Sequence, residues 1–136
     1  MLREERGQGL VEFSLAITVF LALVMGVVDL GRAVYQYNGS AEAARELARV
    51  TSVHPGLPIG SSAQVQQVLR TERGLVPGLD TPTYVCIDIA GTSVTRPCAA
   101  GDWIRVTVTS TFTPVTPWAT VLGQITLASS ASAKLE

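Results

Sequence analysis

Residues 7–30 read GQGLVEFSLAITVFLALVMGVVDL, with sixteen uncharged residues in a row between Glu12 and Asp29. As helix those sixteen rise about 24 Å, short of the roughly 30 Å hydrocarbon layer of a bilayer. Reaching back to Gly9 gives twenty residues interrupted only by Glu12, and twenty rise about 30 Å. A membrane span is therefore expected over about residues 9–28, with Glu12 inside it. A buried core helix is the competing reading, but the rest of the chain is too small to wrap so long an apolar cylinder. No A-x-A pattern of a secretory cleavage site follows Val28.

The whole chain has 136 residues, 47% hydrophobic and 15% charged, with a formal net charge of −1. One domain is the ceiling at this length. Ten basic side chains without a basic run supply no clustered cations for a phosphate backbone, which excludes nucleic acid as a partner. Arg3 and Arg6 before the span are matched by Arg32 and Arg45 after it, so the positive-inside count is close to a tie. The cysteines break it: Cys86 and Cys98 are an even pair in a small Ser/Thr-rich segment, which suits a disulfide outside the cytosol. Closing a loop of that size contributes about 3 kcal/mol in the chain-entropy account. The C-terminal part is thus expected to be exported.

From Gly31 to Val53 the pattern turns amphipathic, with Val34, Tyr37, Ala41, Ala44, Ala48 and Thr51 recurring every three or four residues. The opposite face carries the favourably ordered pairs Glu42–Arg45 and Glu46–Arg49. Asn38-Gly39-Ser40 is the weak point, where the helix either continues or is recapped at Ser40. His54-Pro55-Gly56 ends it. Between Pro55 and Pro82 a short helix is expected, with Ser61 and Gln64 as a capping box, Val65, Val68 and Leu69 as its apolar stripe, and Gly74 as its close. Val85, Ile87 and Ile89, then Ile104, Val106 and Val108, then Ile125 and Leu127 mark three antiparallel strands. Pro114 and Pro117 bar continuous strand between the last two. The expected fold class is α+β: a long N-terminal transmembrane helix, then a small head with a short helix and a three-stranded antiparallel sheet.

Catalytic chemistry has no foothold. His54 lacks an acidic or thiol partner nearby, the cysteine spacing is not a zinc pattern, and Glu72, Asp80, Asp88 and Asp102 are scattered rather than paired. No nucleophile elbow, phosphate-cradling loop or cofactor fingerprint is present. The expectation is no enzyme activity, no cofactor and no metal. Glu12 stands apart, because an ionised carboxylate at bilayer depth costs several kcal/mol unless paired, as a rough figure, and so marks a functional position. Were the chain cut after Gly7, the new amine of Gln8 would lie four residues away, about 6 Å along the helix. A neighbouring copy shifted slightly along its axis would bring that amine to this carboxylate.

RGQGLVEFSLAITVF resembles the processing site and helix start of type IV pilin-like proteins, in which a prepilin peptidase cuts after a Gly and a Glu stands fifth in the mature chain. GQGLVEF, VVDLGRAVYQYN and AEAAREL, with the C-terminal GDWIRVTVTSTFTPVTPW and ITLASSASAKLE, are similar to the TadE-like minor pilins of the tight-adherence (Flp) pilus system. Phe13 stands where that family commonly has Tyr, and Thr18 where it often has proline. The resemblance implies a leader at 1–7, processing at Gly7 and Gln8, a long helix over 8–53, an exported head over 54–136, and subunit assembly through Glu12 and Phe13. It implies as partners other pilin-like subunits, the pilus assembly platform, the prepilin peptidase and the membrane. Localisation would be single-pass, head outside, at the cell surface when assembled. The rival is an uncleaved membrane-anchored extracytoplasmic binding module.

Overall fold

A computed structural model describes residues 2–116 and 123–136, with side chains from Gly7 onward. The elements are α1 (Leu2–Val53), α2 (Ala63–Leu75), β1 (Thr83–Ile87), β2 (Ser93–Val94), β3 (Trp103–Phe112) and β4 (Ile125–Lys134). The fold is α+β, with a single antiparallel sheet ordered β2-β1-β3-β4. Helix α1 runs unbroken for 52 residues, about 78 Å at the α-helical rise, and stops where His54-Pro55 was expected to stop it. The recapping at Ser40 does not occur. Gly39 stays helical because its missing side chain admits Val76, whose Cγ2 would lie 2.9 Å from a Cβ there. Ser40 turns inward, hydrogen-bonding the Gln36 carbonyl at 3.0 Å and the Ser110 hydroxyl at 2.8 Å.

The upper half of α1 lies across β3 and β4, and α2 packs beside it. Ala43, Ala44, Leu47 and Ala48 of α1 meet Val65 and Leu69 of α2 and Ile104, Val106 and Val108 of β3, all buried. Ala131 and Ala133 of β4 pack against the same cluster. Small residues on both helix and edge strand let the backbones approach closely, while Leu47 and the β-branched residues of β3 supply most of the apolar area removed from water.

Three expectations change. The sheet has a fourth strand, β2, because the Asp88 carboxylate accepts from the amides of Ala90 and Thr92 at 3.0 and 2.8 Å and turns the chain so that Val94 pairs with Cys86. In β1 the apolar run Val85, Ile87 and Ile89 does not line the main core: Tyr84 and Cys86 stand opposite Val106 and Ile104, Ile87 is buried on the other face of the sheet, and Ile89 is exposed in the turn. Short helix α2 is capped by Ser62, which accepts from the Val65 amide, not by Ser61, and it runs past Gly74 to Leu75. Its Val65 and Leu69 are buried as expected, with Val68 against the core. Pro114 lies in the irregular stretch after β3; Pro117 lies outside the described residues.

Candidate assembly helix and its junction with the head

Below the head, α1 is apolar on every side and packs against none of the other described residues. Leu10, Phe13, Leu15, Val19, Phe20, Leu23, Val27 and Leu30 are all exposed. Among the described residues this is the one helix long and apolar enough to cross a membrane, and its most apolar window is wholly outside the folded head. An all-round apolar helix with no protein around it requires lipid or other helices as its solvent. Its two hydroxyls are already satisfied: Ser14 donates to the Leu10 carbonyl at 2.8 Å and Thr18 to the Ser14 carbonyl at 2.7 Å. Thr18 keeps a backbone N–H donor in the helix where a proline would remove it.

Gly7, Gln8, Glu12 and Phe13 all lie on this helix and all are exposed. Gln8 and Glu12 are four residues apart and so share one side of it. Among the described residues no group of the head comes near them, and Glu12 is exposed on the apolar segment.

The junction is where sequence reading missed most. The expected stripe opened with Val34 and Tyr37, yet both are exposed. The face that docks the head begins instead with polar side chains, Asp29, Gln36 and Ser40, all buried. The Asp29 carboxylate accepts from the Val115 amide at 3.0 Å and the Thr116 amide at 2.9 Å, and pairs with Arg32 at 3.0 Å. Arg32 in turn lies over the Phe112 ring, 5.5 Å from its centroid. Gln36 donates to the carbonyls of Pro77 and Thr111 at 2.8 and 3.0 Å. These side chains satisfy the backbone of the segments where the sheet and the α2–β1 loop run out, which no hydrophobic side chain can do.

The amide of Thr116 holds the Asp29 carboxyl below its ordinary value of 3.8, outweighing the opposing effect of burial, with the Val115 amide and Arg32 adding to it. A carboxyl with a depressed folded-state pKa contributes stability that is complete above the ordinary value and is lost as pH falls through the lowered one. Acid titration followed by NMR is therefore expected to move the amides of Val115 and Thr116 only below the ordinary carboxylate range. Asp29→Asn should abolish that step while leaving the remaining acid transitions in place.

At the far end of the sheet Cys86 and Cys98 form a disulfide, with Cα atoms 5.5 Å apart. Asp102 closes the same region by accepting from Arg96 at 2.6 and 3.1 Å and from the Ala99 amide at 2.8 Å. Two of the scattered acids, Asp88 and Asp102, are thus turn-formers. The helix pairs Glu42–Arg45 and Glu46–Arg49 form as expected, at 3.2 and 2.6 Å, on an exposed face where such pairs contribute little.

Residues 7–49 match the family described as TadE-like protein. The matched segment covers Gly7 and Gln8, the exposed apolar stretch and the docked helix as far as Arg49, and the sheet lies beyond it. No curated protein and no solved structure shows a significant match to the chain.

Proposed function

We propose that this chain, a member of the TadE-like family through its residues 7–49, is a pilin-like structural subunit of a tight-adherence pilus. It is inserted by its N-terminal helix and cut after Gly7 by a prepilin peptidase. One observation carries the reading: an apolar helix exposed on all sides continues without a break into a helix clasped by a head. That shape leaves half of a long helix to be covered by other copies and gives the head a fixed height above it.

In this reading, cleavage creates an α-amino group on Gln8. Its neighbour's Glu12 receives it where water is scarce, and a single charge pair there discriminates strongly between axial positions. A wrong register leaves both charges against hydrocarbon, at a cost of several kcal/mol each, as an order of magnitude. Phe13 beside Glu12 adds apolar area to the same contact. The head outside carries the disulfide that suits an oxidising compartment.

Filaments sheared from cells are expected to contain this chain together with other pilins. They should lose it when the prepilin peptidase is absent, while the uncut chain accumulates in the membrane. A chain that stays in the membrane at full length in cells with an active peptidase supports instead the uncleaved anchored binding module.

A further inference from the structure

The hydrogen bonds at the junction fix the height of the head on α1. Ser40 meets Ser110, and Asp29 meets Val115. The eleven helical steps from 29 to 40 measure about 16 Å, and the five chain steps from 110 to 115 cover that distance only when nearly extended; the first two lie in β3 and the rest in the irregular stretch beyond it. Strand β3 therefore runs alongside α1 toward the apolar span, and the stretch that follows it brings Val115 level with Asp29. Phe112 lies against Arg32 and pairs with Ile125 of β4, so the sheet ends roughly 5 Å above Asp29.

Counted from Val28, the last residue of the expected span, Asp29 to Arg32 occupy the next 6 Å or so of helix. The polar layer of one leaflet is about 5–7 Å thick. The rim of the head thus falls within that layer, and its exposed side chains are of the kind that enters it. Val115 is 64% exposed and Ile125 40%. Tyr35 on α1 is 70% exposed, and aromatic residues with a polar end favour this depth. The Arg32 side chain is half exposed and keeps N–H donors beyond the one given to Asp29, as a snorkelling arginine requires. A crevice of about 480 Å³ opens between Arg32, Tyr35 and Pro77.

We propose that the lower rim of the head, Val115 and Ile125 with Arg32 and Tyr35 of α1, is seated in the headgroup layer of the outer leaflet before the subunit assembles. The occupant is lipid because the rim is continuous with the apolar span and at headgroup height. The inference rests on that span crossing the membrane. Departure into a filament then requires the head to give up lipid contact as well as the helix, so head seating and helix extraction are coupled.

The test uses the full chain, disulfide intact, in vesicles of phosphatidylcholine and phosphatidylglycerol. A fluorophore is attached through Val115→Cys, Ile125→Cys, Phe20→Cys or Ile89→Cys, and doxyl-labelled lipid is the quencher. Labels at 115, 125 and 20 should lose roughly half their emission or more, and the label at 89, at the far end of the sheet, should keep it. Quenching at 20 but not at 115 and 125 overturns the seating while leaving the span intact. No quenching at 20 overturns the span and the seating with it. A spectral shift at 115 without lipid quenching assigns the rim to a second copy and also overturns the proposal. In the unlabelled chain, doxyl lipid should broaden the methyl signals of Val115 and Ile125, and sharp signals there contradict the seating without recourse to any variant.

Discussion

Glu12→Gln is expected to be cut after Gly7 and inserted in the membrane as well as the wild-type chain, yet to be absent from filaments. Insertion should hold or improve, because the substitution removes a charge from an apolar span and with it a desolvation cost. Assembly should fail because the Gln8 amine of the adjacent subunit is left without its counter-charge. An unpaired charge in a poorly hydrated contact costs about 3–5 kcal/mol, which corresponds to a hundredfold or greater loss of occupancy. Glutamine keeps the size and part of the hydrogen bonding, so the loss reports the charge and not the shape. Cleavage is followed separately by mass, cross-linking to other pilins reports the contact, and recovery in sheared filaments reports assembly. A Glu12→Gln chain that is processed normally and enters filaments at wild-type levels contradicts the charge-register mechanism.

Leu47→Ala is the largest effect expected within the folded part. Leu47 is fully buried where α1, α2 and β3 meet, and its neighbours on the helix are alanines that cannot fill the space it leaves. Truncation of such a leucine costs about 2–5 kcal/mol, against a total of about 5–15 kcal/mol for a typical domain. Urea unfolding of the full chain in detergent, with the disulfide intact and far-ultraviolet circular dichroism as the reporter, should show that loss, whereas Leu47→Met should lose less than about 1.5 kcal/mol. Membrane insertion should be unaffected, since the span lies below the core. A Leu47→Ala chain within about 1 kcal/mol of wild type would mean that the core collapses around the cavity and that the polar junction carries more of the docking.

What was legible in the sequence was what repeats or punctuates. The exposed apolar half of α1 follows from an uninterrupted apolar run, the end of α1 from His54-Pro55, the main strands from alternation, and the disulfide from two cysteines twelve positions apart. The polar half of the docking face was not legible, because periodicity analysis counts apolar residues and Asp29, Gln36 and Ser40 enter such a count as solvent-facing. Each is buried for the hydrogen bonds it makes to backbone or hydroxyl groups 40 or more residues away, and local sequence does not encode partners at that distance. The inverted phase of β1 has a similar origin. Val85 and Ile87 are as apolar as a core face, and Ile87 is indeed buried, but cross-strand pairing with Ile104 and Val106 turns Tyr84 and Cys86 toward the main core, and register outranks composition in a short strand. Strand β2 is only two residues long, set by the Asp88 turn and tied by the disulfide, and offers no alternation to read. Glu12 is a different case: it stands out as one charge in an apolar run, a reading that uses no tertiary information, and its part in assembly is a proposal.

In the proposed function this chain is a processed subunit whose Glu12 lies fifth in the mature chain. The most direct measurement is mass spectrometry of the N-terminal peptide of the chain recovered from the surface of cells with an active prepilin peptidase. The account predicts a chain beginning at Gln8, with the disulfide between Cys86 and Cys98 in place. A chain that still carries the residues preceding Gln8 contradicts it and leaves an anchored head without the amine that Glu12 is proposed to bind.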